Sequence, residues 1–191
     1  LAEGFTLVLD SSRQHLIARD GNGKELWKLR TTGLQAIIPN SNGNYARVNG
    51  HLLIVVFGTH FVVLDRFQQQ DGVPRILWQK RLVAGTTGDI RSLQAQIGQI
   101  IGPGGVRIHT VQDRFGRPIG KVVPIFDSMI CYQIGTRLVA ADALTGETLW
   151  ERRTVARGSD LFGDREFVFV VAPNSKDAIV LRAADGEQVA T

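Results

Sequence analysis

The chain has 191 residues, 43% of them hydrophobic and 21% charged, an ordinary balance for a globular protein that gives no indication of disorder. Its net charge of +4 is spread along the chain, and acids lie beside the densest basic cluster, Arg152-Arg153 with Arg157. No basic stripe interleaved with exposed aromatics marks a nucleic-acid surface, so no nucleic acid is expected as a partner. Apolar runs are of strand length, short of the ~20 residues of a membrane helix, so no transmembrane segment is expected. The chain starts Leu1-Ala2-Glu3-Gly4 without Met, which reads as a piece of a longer protein. A single cysteine, Cys131, sits inside an apolar stretch and reads as a buried, inert thiol.

Taken in chain order, the sequence divides into four units, roughly 1–32, 45–84, 122–157 and 160–191. The first offers Phe5 to Leu9 as an early strand, then Ile17-Ala18-Arg19-Asp20-Gly21-Asn22-Gly23-Lys24-Glu25-Leu26-Trp27. A polar connection, Thr32 to Asn44, follows. The second unit runs Leu52 to Phe57, a turn at Gly58-Thr59-His60, Phe61 to Leu64, then Asp65. Residues 68–75 lengthen its acidic turn into a protruding loop before Ile76-Leu77-Trp78. The third repeats the plan most fully, from Met129 to Ile134 through Val139-Ala140-Ala141-Asp142-Ala143-Leu144-Thr145-Gly146-Glu147-Thr148-Leu149-Trp150. The fourth runs Phe167 to Ala172, then Ile179-Val180-Leu181-Arg182-Ala183-Ala184-Asp185-Gly186-Glu187-Gln188-Val189, with Val in place of the Trp.

Between units two and three lies an insertion at about 83–121. Thr86-Thr87-Gly88-Asp89 is a plausible helix start, and Ile90, Leu93, Ile97 and Ile101 share one helical face. A short helix is therefore expected near 86–101, ended by Gly102-Pro103-Gly104-Gly105. Val106 to Gln112 and Pro118 to Val123 then read as a further hairpin, a candidate for the missing strands of the third unit.

Each unit is strand, turn, strand, acidic turn, strand. Asp can hydrogen-bond backbone two residues on, and Gly accepts the positive φ of a tight turn, so Asp20, Asp65, Asp142 and Asp185, with Gly146 and Gly186, read as equivalent turn residues. Trp27, Trp78 and Trp150 are the only tryptophans and share one repeat position, which marks them as packing residues between neighbouring units. Unbroken apolar strands imply sheets covered on both faces.

The third copy resembles the repeats of quinoprotein-type β-propellers, which read Ala-x-Asp-x-x-Thr-Gly-x-x-x-Trp. The resemblance implies an all-β fold of about four antiparallel blades, a partial propeller. Two functions compete within that superfamily: quinone-dependent dehydrogenases that bind pyrroloquinoline quinone with calcium, and non-enzymatic scaffolds similar to the outer-membrane assembly lipoprotein. The dehydrogenases carry a vicinal Cys-Cys pair, a carboxylate base and calcium ligands that this chain does not match. No cofactor is expected, and a non-catalytic binding or scaffold module is favoured. The alternative is part of a dehydrogenase whose cofactor residues lie outside this chain.

Other chemistry finds no support. His15, His51, His60 and His109 are not spaced as a metal pair and read as surface or turn residues. Asp20-Gly21-Asn22-Gly23-Lys24 lacks the ligand pattern of a calcium loop. The repeated acids belong to separate blades, so paired-carboxylate catalysis is not expected. Recognition is expected on two loops, Gln68 to Arg75 and Gly85 to Gly105, with Gln68, Gln69, Gln70, Arg75, Arg91 and Gln94 as candidate contacts. Expected partners are a protein, the remaining blades of a parent protein, or a second copy. The expected compartment is extracytoplasmic, periplasm or cell envelope.

Overall fold

A computed structural model describes residues 5–10, 15–30, 44–57, 60–70, 72–82, 96–101, 107–112 and 120–191. Among them every regular element is a strand, in the order β1 (Phe5–Leu9), β2 (His15–Asp20), β3 (Glu25–Arg30), β4 (Asn44–Asn49), β5 (Leu52–Phe57), β6 (His60–Gln70) and β7 (Val73–Arg81). After β8 (Gln96–Ile101) and β9 (Arg107–Gln112) come β10 (Val122–Phe126), β11 (Met129–Ile134), β12 (Arg137–Asp142) and β13 (Thr148–Arg152). The last four are β14 (Asp160–Gly163), β15 (Phe167–Val171), β16 (Ala178–Arg182) and β17 (Gln188–Ala190). They form antiparallel sheets β1-β2-β3, β4-β5-β6-β7, β10-β11-β12-β13 and β14-β15-β16-β17, one per repeat, plus a separate β8-β9 pair.

Two expectations about the insertion need correction. Residues 96–101 are strand, not helix: Ile97 pairs with Val111 and Gly98 with Thr110. Ile97 and Ile101 are four apart, an interval that serves a strand face as well as a helical one. The other positions of the expected helix, 86–95, lie outside the described residues. The second correction concerns Val106 to Gln112, expected to pair forward with Pro118 to Val123. Instead β9 pairs back onto β8, and Val122 begins the first strand of the third blade. The strand missing from the repeat motif is thus the one preceding each apolar run, supplied by β4, β10 and β14. These strands adjoin one another along the stack. The first sheet uses Phe5–Leu9 and has three strands.

The sheets stack in chain order. Leu52, Ile54, Val56, Phe61, Val63 and Trp78 face the third sheet and meet Val122, Ile130, Tyr132, Val139, Ala141 and Ala143. The alternate residues Leu53, Val55, Val62 and Leu64 pack the other way, against Leu16 and Leu29 of the first sheet. Both sets of residues in β5 and β6 are therefore buried, which is why these strands read as continuous apolar runs. The third sheet presents Val123, Met129, Cys131, Leu138, Ala140 and Trp150 to Leu161, Val168, Val170, Leu181 and Ala183 of the fourth.

A β-bulge sits at the same place in all four sheets: Ala18 pairs with Trp27, Val63 with Trp78, Ala140 with Trp150 and Val180 with Ala190, and the register shifts at the next residue. The extra residue turns the Trp onto the face that meets the following sheet. There the indole lies across the neighbour's acidic turn. Trp78 Nε1–H donates to Ala143 O at 2.9 Å, and Trp150 Nε1–H to Ala183 O at 2.7 Å. Both tryptophans are only 8% exposed. The turn glycines Gly146 and Gly186 have φ of +71° and +72°, and a Cβ on them would lie 2.6 Å from Trp78 and 2.5 Å from Trp150. Gly is thus required twice over, by the backbone and by the ring.

Gly146→Ala should destabilise the chain by about 2–5 kcal/mol in urea melts, from positive-φ strain plus overpacking. Gly23→Ala has a φ of +82° but no atom within 4 Å of its added carbon. It should lose only the strain, about 1–2 kcal/mol. Equal losses would show that the ring does not lie over Gly146. Trp150→Phe keeps an aromatic body but leaves Ala183 O without its donor, for a loss of about 1–3 kcal/mol, against about 3–5 for Trp150→Ala.

Candidate functional site

The acidic turns are built by the carboxylates predicted for them, in three of four copies. Asp142 accepts hydrogen bonds from the Thr145 amide at 2.8 Å, the Leu144 amide at 2.9 Å and the Thr145 hydroxyl at 3.1 Å. The Thr145 amide is foremost in holding this carboxyl below the usual carboxylate range. Asp20 accepts from Asn22 and Lys24 amides, and Asp65 from Phe67 and Gln68 amides. The fourth turn departs from expectation. The Arg182 amide bonds Glu187 O and the Gly186 amide bonds Arg182 O, as Asp142 does with Glu147 and Gly146. Arg182 therefore stands in the Asp142 position, and Asp185 in that of Thr145. Asp185 accepts from the Glu187 amide, as the Thr145 hydroxyl does from Glu147, and pairs with Arg182 at 2.7 Å. The same register puts Ala190, not Val189, where the Trp would be.

Asp20, Asp65 and Asp142 each serve their own sheet and do not converge. Among the described residues no group of three or more His, Cys, Asp or Glu side chains is placed to hold a metal ion. The Cys131 thiol is buried and pushed far up by desolvation, so it is not a thiolate nucleophile. His60 departs from its surface reading: it begins β6 and is 8% exposed. Burial, aided by the Arg81 charge, lowers its pKa to about 4.

Among the described residues, two surfaces lie outside the packing just described. The first is the β6-β7 hairpin. Residues 68–75 do not form a loose loop, because Gln69 pairs with Pro74 and Gln70 with Val73, extending both strands past the bulge. Gln68 and Gln69 are exposed, as is Arg75, which donates to Gln68 Oε1 at 3.2 Å. Phe67 beside them is 70% exposed, with the Arg66 guanidinium 5.0 Å from its ring. Sequence reasoning singled out the glutamines and passed over this phenylalanine, although a large apolar residue at a turn was a visible signal. Arg91 and Gln94 lie outside the described residues.

The second surface is the outer face of the fourth sheet. Phe162, Phe169, Val180 and Ala190 form one cross-strand row. Phe162 is 50% exposed and stacks on Phe169 at 5.2 Å between centroids, with Phe167 6.4 Å further on. In sheets two and three the corresponding row, Val63-Trp78 or Ala140-Trp150, is buried under the next blade. No helix among the described residues is long and apolar enough to cross a membrane.

A family model described as outer membrane protein assembly factor BamB matches residues 75–189. No curated protein matches the chain. Among solved structures, Sqt1 of Saccharomyces cerevisiae superposes with a TM-score of 0.58 at 12% identity, over 97% of this chain and 44% of Sqt1. BamB of Moraxella catarrhalis matches at 13% identity and TM-score 0.30, over 98% of this chain and 70% of that one. AztD of Citrobacter koseri matches at 15% identity and TM-score 0.37, over 93% and 52%. The Sqt1 superposition shows the fold, a β-propeller arrangement of blades, and this chain spans less than half the length of Sqt1.

The buried His60 carries a pH signature. Its folded pKa of about 4 lies below the ordinary 6.5, so below pH 6.5 the unfolded chain takes up a proton that the folded chain refuses. Stability is present above pH 6.5 and is lost as pH falls to 4, by up to about 3 kcal/mol. Urea melts across that range should show a slope that His60→Gln flattens, and an unchanged slope would remove His60 as its source.

Proposed function

The chain belongs to the family of the outer membrane protein assembly factor BamB, and on that footing we propose that it is a non-catalytic scaffold that binds protein through exposed blade surfaces. The observation that carries this reading is the outer face of the fourth sheet. Three inter-sheet junctions show that such a face is covered by another apolar sheet, and Phe162 and Phe169 present one without a cover among the described residues. The β6-β7 hairpin, with Phe67, Gln68, Gln69 and Arg75, offers a second contact on a rigid base. An exposed apolar row flanked by polar residues marks an interaction site rather than ordinary surface. We assign residues 1–191 to one propeller region, completed by further blades of a larger protein or by a second copy. The compartment we propose is the periplasm or cell envelope.

The competing dehydrogenase reading has less support. Cys131 is buried and single, and the turn carboxylates are satisfied by their own backbones.

Light scattering across concentration tests the reading. The chain should associate, with mass rising with concentration, and Phe162→Asp with Phe169→Asp should return it to monomer without changing its far-ultraviolet spectrum. A wild-type chain that stays monomeric and fails to bind a hydrophobic dye would remove the fourth sheet as a docking face. Titration with pyrroloquinoline quinone and calcium should give no saturable binding, and saturable binding would favour the dehydrogenase.

A further inference from the structure

The repeat register places a basic pair at one position in three successive blades. His15 pairs across strands with Arg30, and His60 with Arg81. In the third blade Arg137 and Arg153 occupy the same positions, three residues before Ala140 and three after Trp150. Two of these pairs have a carboxylate built in. His15 Nδ1 lies 2.8 Å from Asp10 Oδ2. Glu151 lies between Arg137, at 3.3 Å, and Arg153, at 3.5 Å. The second blade carries neither acid at the equivalent positions. Its residue in register with Glu151 is Gln79, and that in register with Asp10 is Phe57.

Burial sharpens the difference. Arg137 and Arg153 are open to water, whereas His60 is 8% exposed and Arg81 is half-buried. Arg81 Nε and Nη2 are fully buried without a hydrogen-bond partner among the described residues. Those two atoms form one edge of the guanidinium fork, the edge that takes two oxygens of one anion in parallel. Buried donors of a charged group left unmet carry a desolvation cost, which a bound anion or an ordered water would offset.

We propose that the Nε–Nη2 edge of Arg81, with His60 and Gln79 beside it on the same sheet, binds an oxyanion that presents two oxygens, a carboxylate or a phosphate. The site lies on the side of the second sheet that packs against the first, since Val62, next but one to His60, belongs to that junction. Bidentate recognition there would be specific, because Arg81 is held by strand pairing and the surroundings are shielded from water. The source of the oxyanion is either a free ion or the acidic side chain of a bound polypeptide. The inference stands apart from the scaffold reading, since it concerns a different face.

The test is nuclear magnetic resonance of the Arg81 Nε–H group in the intact chain, titrated with phosphate, acetate or a blocked Glu-containing peptide against chloride at matched ionic strength. A saturable shift with an oxyanion and none with chloride is expected. Preference for phosphate or acetate identifies a free ion, and preference for the peptide identifies a polypeptide source. The melting temperature should rise by roughly 3–6 °C with the anion at about ten times its Kd. Arg81→Lys, which keeps the charge but not the fork, should abolish the rise, and Arg153→Lys should not. Gln79→Glu, which installs the acid of the third blade, should stabilise the chain and remove the response. No shift with any oxyanion, or a full response in Gln79→Glu, would overturn the proposal.

Discussion

The structure depends on an indole laid across the turn of the next blade. Its body supplies most of the energy: a Trp burying ~150–250 Å² at ~25 cal/mol per Å² gives about 4–6 kcal/mol as an upper value. The Nε1–H bond to Ala143 or Ala183 adds roughly 1 kcal/mol net, but it fixes where the ring sits. Packing therefore provides cohesion and the hydrogen bond provides register. Both need a glycine with nothing on its α-carbon and a bulge that aims the Trp forward. Gly146, Gly186 and the shift beside Ala140 are parts of one device rather than separate features.

Much of that device is legible in the sequence because its residues are extreme. Trp, Gly and Asp recurring at fixed intervals mark tight turns and the contacts packed on them, and an apolar run such as Leu52 to Phe57 requires cover on both faces. The bulge is not legible, since it is a matter of how two strands slip past each other. It leaves Leu26, Leu149 and Val189 exposed beside the docking position, a pattern that reads from sequence as plain strand. The fourth turn misleads for a related reason. Asp185-Gly186 looks like the shortened end of Asp142-Ala143-Leu144-Thr145-Gly146, yet the backbone bonds put Arg182 in the aspartate's place. Two residues exchange roles while the turn survives, because the Arg182–Asp185 pair replaces the Asp142–Thr145 bond. The expected helix failed on a shared interval: short apolar runs at spacing four satisfy a strand and a helix equally.

The burial of His60 and the unmet Nε and Nη2 of Arg81 were likewise beyond a linear reading. A histidine after Gly58-Thr59 looks like a turn residue. Its burial follows from its place on the face of β6 that Val62 shares, a matter of sheet stacking rather than of local sequence. Only comparison of equivalent positions across blades shows that Gln79 stands where another blade carries Glu151.

The docking device varies along the stack, and the variation has a direction. Trp78 and Trp150 are sealed under short glycine turns. Trp27 is only half-buried and packs on the same cluster as Val73 of the lengthened β6-β7 hairpin, whose turn has no glycine next to the aspartate's hydrogen-bonded residues Phe67 and Gln68. The fourth blade has Ala190 in place of a Trp, with a stacked phenylalanine pair on the same row. The Trp78 and Trp150 junctions are thus sealed alike, while the contact changes at the first blade and at the fourth. Surface used for cohesion is unavailable for recognition, because exposing it would cost the several kcal/mol that hold the blades together. Phe67, Gln68 and Gln69 lie outside the inter-sheet clusters, and no sheet among the described residues covers the fourth blade's outer row. A fold that joins its blades by one repeated contact can differentiate only where that contact is altered, and among the described residues it is altered at the half-buried Trp27 and at Ala190.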